Sequence, residues 1–164
     1  MASEKEILEG LKTFPLLSNL PEEDLARLAS IVEEEHFPAG TKILTEGEFG
    51  DKMYMLWEGN VDVLKTTLYG EPYVAASLKD SYHCFFGEMA LIDRGERSAS
   101  IRAKTDCRTL SIGHEDFQRF CREYPNVGIE LLMSISSTLV HNLRMENENL
   151  HIVYQALIEE IEEH

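Results

Sequence analysis

A mainly β fold with flanking helices is what this sequence predicts, and three observations carry it. From His36 to about Ile112, short apolar runs alternate with polar residues and are punctuated by Gly40, Gly47, Gly50, Gly59 and Gly70, the pattern of an antiparallel β segment. On both sides of that segment the apolar residues recur at helical spacing instead. The composition, with 43% apolar and 27% charged residues but only Gly 10 and Pro 5, excludes a disordered or fibrous chain. On the usual scale of roughly 100 to 200 residues per domain, 164 residues make one domain with room for an appended element. The expected division is 1–125, a β-rich domain with N-terminal helices, and 126–164, a long C-terminal helix.

Taken in order, Ile7, Leu8 and Leu11 mark an opening helix that Phe14-Pro15-Leu16-Leu17 breaks. Ser18-Asn19-Leu20-Pro21 then introduces a second helix, expected from about Glu22 to Glu34, whose acidic first turn suits the helix dipole. Runs such as Lys42-Ile43-Leu44, Met53 to Trp57 and Val61 to Leu64 belong to about eight short strands. Glu58-Gly59-Asn60 and Leu68 to Tyr73 read as hairpin turns. So many strands in so few residues imply a sandwich, a jelly roll or a small barrel.

After Gly113 the period returns to helix. A short one starts at His114 and ends before Pro125, and a long one runs from about Asn126 almost to the C-terminus. Ile129, Leu143, Leu150 and Leu157 recur at seven-residue spacing, interrupted by Ser136, with Leu132, Leu139 and Val153 and Met133, Val140, Tyr154 and Ile161 as the companion row. At about 1.5 Å per residue this helix outreaches a small sandwich, so its distal half is expected to pack against another copy, as a dimerisation helix. Glu146 and Asn147 interrupt the stripe.

Charge narrows the function classes. With Lys+Arg 15 against Asp+Glu 30, the net charge of −15 repels a phosphate backbone and an anionic bilayer, so neither nucleic acid nor membrane is an expected partner. The N-terminal segment carries Glu4, Lys5, Glu6 and Glu9 where a signal peptide would be apolar, which predicts a cytoplasmic protein. Cys84, Cys107 and Cys121 are widely spaced and odd in number, as buried or idle thiols are.

The segment Phe85 to Ile92 is where chemistry concentrates. An apolar strand end runs into Gly87, where a ligand can approach the backbone, and Glu88-Met89-Ala90-Leu91 follows as a short helical turn whose N–H groups suit an anion. Arg97 and Ser98-Ala99 come next, so a guanidinium, a hydroxyl and backbone amides share one loop, and Glu88 can accept from sugar hydroxyls. The plainer alternative is a first-turn Glu88 paired with Arg97 in a salt bridge.

These residues carry a resemblance. Phe37-Pro38-Ala39-Gly40-Thr41, Glu46-Gly47, Tyr54, Gly59, Val61-Asp62-Val63, Phe86-Gly87-Glu88-Met89-Ala90-Leu91 and Arg97 to Ala103 closely resemble the cyclic nucleotide-binding domain of catabolite activator protein-type regulators, from about Phe14 to Asn149. The resemblance implies an antiparallel β jelly roll and a non-enzymatic sensor or regulatory domain for cyclic AMP or cyclic GMP, with no other cofactor. It implies that Gly87 to Ala99 is the phosphate-binding cassette, with Met89 and Ala90 in its helical turn. There Glu88 accepts the ribose 2′-hydroxyl, Arg97 pairs with the cyclic phosphate, and Ser98 with the amides around Gly87 and Ala99 completes the cradle. In that family the long helix meets the base; aligning the heptads places Glu146 and Asn147 there, which leaves cyclic AMP and cyclic GMP both open.

The departures are as informative. Asp80-Ser81-Tyr82-His83-Cys84 is longer than the family's turn before the cassette. The activators continue into a helix-turn-helix domain, whereas this sequence ends at His164 with no Lys or Arg beyond Arg144, so the expected output is a downstream partner or further domain and not DNA. Adjacent His83 and Cys84 point to opposite faces of a strand and do not make a metal pair. His36, His83 and His114 are isolated, unlike the His-x-His of a cupin-like metalloenzyme, and no metal site is expected. A degenerate domain acting only as a dimerising scaffold stays open.

Overall fold

The computed structural model describes residues 2–162. Its order is α1 (Glu4–Leu11), a 3-10 turn at Pro15–Leu17, α2 (Glu22–Ala29), β1 (Glu33–Phe37), β2 (Lys42–Leu44), β3 (Lys52–Glu58), β4 (Asn60–Thr66), β5 (Pro72–Lys79) and a 3-10 turn at Asp80–Tyr82. Then come β6 (Phe85–Phe86), a 3-10 turn at Glu88–Leu91, β7 (Ser100–Ala103), β8 (Cys107–Gly113), α3 (His114–Glu123) and α4 (Pro125–Glu162). Two four-stranded antiparallel sheets, β1-β8-β3-β6 and β2-β7-β4-β5, face one another as the expected jelly roll.

Strand alternation builds two cores around β3. Met53 and Met55 point to the helices and pack with Leu11, Phe14, Leu28, Leu110, Phe117, Leu131 and Ile135. Tyr54 and Leu56 point between the sheets, with Leu44, Val61, Phe86, Ile101 and Cys107. β3 is thus buried on both faces, which is why its apolar run is continuous where β8, for example, alternates.

Two boundaries differ from the sequence reading. The second helix stops at Ala29, and Glu33 and Glu34, expected at its end, begin β1 with Glu35 against β8, Glu33 lying opposite Ser111. The run of carboxylates is tolerated in a strand because Lys52 reaches Glu33 and Glu35 at 2.9 Å each, and Arg108 reaches Glu34 at 2.8 Å. The Glu58-Gly59-Asn60 turn is not a hairpin: β3 and β4 lie in different sheets. Gly59, at φ 98°, is the corner between them, and a Cβ there would sit 2.4 Å from the Asp106 carbonyl oxygen. The second expected hairpin forms as read, β4 pairing with β5 from Asn60 opposite Lys79 to Thr66 opposite Pro72.

Candidate functional site

The site grows from the short strand β6. Phe85 and Phe86 pair with Met55 and Tyr54 of β3, and the Phe86 ring stacks on Tyr54 at 5.6 Å. The chain then turns at Gly87, φ 76°, into the Glu88–Leu91 turn, whose Ala90 and Leu91 are buried as an apolar anchor. His114, at the start of α3, holds this turn from beneath: its Nδ1 lies 2.7 Å from the Ala90 carbonyl oxygen. The following segment is clamped against the β2–β3 connection. Arg97 N–H donates to Glu48 O at 2.8 Å, Gly47 N–H to Arg97 O at 2.9 Å, and Phe49 bridges Glu96.

This clamp aims the Arg97 side chain across the loop. Its guanidinium donates to the Lys52 carbonyl at 2.8 Å and the Gly87 carbonyl at 3.3 Å, and lies flat against Gly50 and Gly87. No carboxylate comes within 4.0 Å of it among the described residues, so the alternative of an Arg97–Glu88 salt bridge is not what the geometry shows. Burial pulls the half-buried guanidinium down from its ordinary pKa, with Tyr54, Asp51 and Glu88 pulling it back up. It stays charged. Burial also pushes the Glu88 carboxyl above the usual carboxylate range, against the opposing pull of Arg97.

Together these groups line a cavity of about 300 Å³, within the size range of small-ligand pockets (roughly 300–1,000 Å³). Gly87, Glu88, Met89, Ala90, Arg97, Ser98 and Ala99 all reach it. Leu44, Val63 and Ile101 give the cavity an apolar side, and Asp93 and Glu96 also line it. A cation held on neutral carbonyls beside an apolar wall suits a small anion that carries a flat, weakly polar body.

Residues 34–124 match the cyclic nucleotide-binding domain family. The chain belongs to that family. Over 109 residues, 66% of this chain and 25% of the relative, it is 38% identical to a cAMP-dependent protein kinase regulatory subunit of Aspergillus niger. It is 32% identical to the cyclic AMP receptor protein of Thermus thermophilus over 129 residues, 79% of this chain and 59% of that one. The crystal structure of the Thermus thermophilus catabolite activator protein superposes with a TM-score of 0.76 at 29% identity, covering 85% of this chain and 62% of that one. The chain spans about a quarter of the length of the kinase regulatory subunits it matches, 25% and 27% in two of them.

In this cyclic nucleotide-binding domain the long helix supplies a second wall. A wider cavity of about 620 Å³ shares Phe85 and Glu88 with the first and runs along α4 past Ser134, Ser137, Thr138 and Asn142. The loop that departs from the family pattern closes its far side with Tyr82, His83 and Cys84, where His83 takes a left-handed conformation, φ 46°, and meets Phe14 edge to face. Glu146 and Asn147 are exposed and outside both cavities. Glu146 lies one turn beyond Asn142 on the same face, whereas Asn147, about 100° further round, does not. The heptad alignment follows the outer apolar stripe of α4, whereas the wider cavity lies on another side of the helix. Among the described residues no group of three or more His, Cys, Asp and Glu is placed to hold a metal ion, and His83 and Cys84 stand apart from any such cluster.

The sequence reading noticed Gly50 only as a turn residue. A Cβ there would fall 2.0 Å from Arg97 Nε, so the cleft that holds the guanidinium exists only because residue 50 is glycine. Gly50 does not have a positive φ, so alanine adds no backbone strain, and the flexible side chain yields first. Gly50→Ala is expected to keep the melting temperature within a few degrees and to weaken nucleotide binding about tenfold (~1.4 kcal/mol). Calorimetry on the folded variant checks this; unchanged affinity would mean that the position of the guanidinium is immaterial.

Proposed function

We propose that this chain is a non-enzymatic cytoplasmic sensor of cyclic AMP or cyclic GMP that works as a homodimer through α4 and passes its signal to a downstream partner. The observation that carries the reading is Arg97: a half-buried guanidinium with no carboxylate within 4.0 Å among the described residues, held on two carbonyls beside a partly apolar cavity. In a protein of net charge −15, Arg97 is the cation among the described residues lining this cavity, and it offers an anion a partly desolvated counter-charge. Glu88, Ser98 and the amides at Gly87 and Ala99 complete the phosphate and ribose cradle. The base then extends toward α4, where Ser134, Ser137, Thr138 and Asn142 line the wider cavity and can donate and accept, with Glu146 a turn beyond Asn142.

The family membership supports ligand binding, and relatives of both a cyclic AMP-dependent and a cyclic GMP-dependent kind match this chain at similar identity, 38% and 37%. Among the described residues no helix is long and apolar enough to cross a membrane. A ligand held by both the Gly87–Ala99 loop and α4 favours whichever helix position lets it touch both, which is how binding becomes a signal. Nucleic acid is not a direct partner on this reading, given the surplus of acidic charge. The deciding experiment titrates cyclic AMP, cyclic GMP and, as a control, linear 5′-AMP into the purified chain by calorimetry. Saturable binding of one cyclic nucleotide, and weak binding of the linear one, is expected. Binding of neither cyclic nucleotide would leave a dimerising scaffold and overturn the sensor.

A further inference from the structure

Beside α3 lies a shallow hollow of about 440 Å³ that shares no residue with the cavity at Arg97; it is lined by Arg94, His114, Glu115, Gln118, Arg119 and Arg122. Helical spacing builds it. His114, Gln118 and Arg122 fall four residues apart and stack along one face of α3, Glu115 and Arg119 form the row beside them, and Arg94 reaches in from the loop after the Glu88–Leu91 turn. Three arginines against Glu115 and Asp116 leave this spot positive in a chain of net charge −15. Arg94 pairs with Glu115 at 2.7 Å and Arg119 with Asp116. Arg122 donates to the Gln118 side-chain oxygen at 3.1 Å and has no carboxylate within 4.0 Å among the described residues.

The floor of the hollow is His114. Its side chain is buried, the residue being 8% exposed, and its Nδ1 lies 2.7 Å from the Ala90 carbonyl oxygen. A carbonyl only accepts, so Nδ1 carries the hydrogen of the neutral ring and Nε2 carries the lone pair. Among the described residues Nε2 has no protein partner, and no polar side-chain atom is both fully buried and unsatisfied. Nε2 therefore opens into the hollow that His114 lines.

We propose that this hollow is a second anion site, separate from the Arg97 cavity, and that it takes the phosphate group of a phosphate monoester. Guanidinium forks match the oxygens of a phosphate, and the Gln118 amide adds a donor. Nε2 sets the selectivity, because as an acceptor it favours an anion that brings its own proton. A phosphate monoester, with a second pKa of about 6, presents both a hydroxyl for Nε2 and charged oxygens for the arginines. Sulfate has the same shape and no such hydroxyl near neutral pH. Glu115 opposes any anion here while it holds Arg94. The phosphate can come free in solution or on a phosphorylated side chain of another protein.

The test is an NMR titration of the full, isotope-labelled chain at a pH of about 6, near the second pKa of the monoester, and at constant ionic strength. The probes are inorganic phosphate, phosphoserine capped at both ends, and sulfate. Both phosphates are expected to give saturable shifts centred on Gln118 and Arg122, and sulfate to bind about fivefold more weakly. Arg122→Ala should weaken inorganic phosphate about fivefold, and Glu115→Gln should strengthen it about threefold by removing a carboxylate and releasing Arg94. Arg97→Ala should change nothing at this site. Tighter binding of capped phosphoserine than of inorganic phosphate assigns a phosphorylated side chain as the source, and equal or weaker binding assigns a free phosphate. Phosphate shifts that disappear in R97A would place the ion in the cassette cavity and overturn the second site. So would a wild type that does not saturate at tens of millimolar phosphate, or an R122A chain that binds as the wild type does. Sulfate binding as tightly as phosphate would overturn the part given to Nε2 and the choice of a phosphate monoester with it.

Discussion

Arg97→Ala is expected to abolish cyclic nucleotide binding at ordinary calorimetric concentrations. The guanidinium is the one partly desolvated cation that lines the smaller cavity, and its donors are parked on the carbonyls of Lys52 and Gly87, neutral acceptors that a phosphate outcompetes. Truncating one member of a partly buried charge-assisted pair costs roughly 2–4 kcal/mol, about thirtyfold to a thousandfold in affinity. Folding should survive, because the backbone of residue 97 is held independently through Glu48 and Gly47. Arg97→Lys should recover only part of the loss, since an ammonium keeps the charge without the planar fork. Arg94 is the control. It lies three residues away in the same loop, but its guanidinium pairs with Glu115 at 2.7 Å, the Arg94 side chain being about half exposed and that of Glu115 largely exposed. Arg94→Ala should leave affinity within about twofold and, as for exposed pairs generally, cost under ~1 kcal/mol of stability. Equal losses in the two variants would show that the phosphate does not sit at Arg97.

Why Arg97 was legible in the sequence, and other parts of the site were not, follows from how far apart the cooperating residues lie. Gly87, Glu88, Arg97 and Ser98 fall in one short stretch, so spacing and residue type suffice to propose a cradle. Gly50 and the Lys52 carbonyl, which position the guanidinium, come from a different connection, and a backbone carbonyl leaves no mark on residue type. The α4 wall was missed for a reason of symmetry. Its heptad stripe is real, but α4 has three working sides, toward the core, the cavity and solvent, and a single apolar period reports only one.

The fold shows the same division. The Leu68–Tyr73 hairpin is local and was read correctly, while the Gly59 turn, with an equally good local signal, separates strands that belong to different sheets. Whether a glycine turn closes a hairpin or rounds a corner depends on what packs beneath it, here the Asp106 carbonyl. Glu33-Glu34-Glu35 favours a helix end by local propensity, and its distant partners, the β8 ladder with Lys52 and Arg108, make it a strand.

Glu88→Gln should move stability and binding in opposite directions. In the free protein, burial raises the Glu88 pKa above its ordinary value of 4.5, against the weaker pull of Arg97. A carboxyl whose folded pKa lies above its unfolded one binds its proton more tightly in the native state. It therefore weakens the fold at neutral pH, and that penalty is relieved as pH falls through the raised pKa toward 4.5. The neutral amide never bears the penalty. The variant should thus melt at or above the wild-type temperature at pH 7, with the difference shrinking toward pH 4.5. Binding runs the other way. The carboxylate offers two charged oxygens to the ribose hydroxyl and the amide offers one neutral oxygen, so losing the charge-assisted bond costs about 1.5–3 kcal/mol, or roughly tenfold to a hundredfold in affinity. The pH profile separates this from a packing defect. Wild-type affinity should fall as the solution is acidified through the raised pKa and Glu88 gains its proton, whereas the affinity of E88Q, already neutral there, should stay flat across the same range. Calorimetric titrations at pH 7 and at steps down to pH 4.5, with melting curves at each, read both effects. A variant that binds like wild type at pH 7, or one whose affinity falls with acid as steeply as the wild type's, would remove Glu88 from the ribose contact.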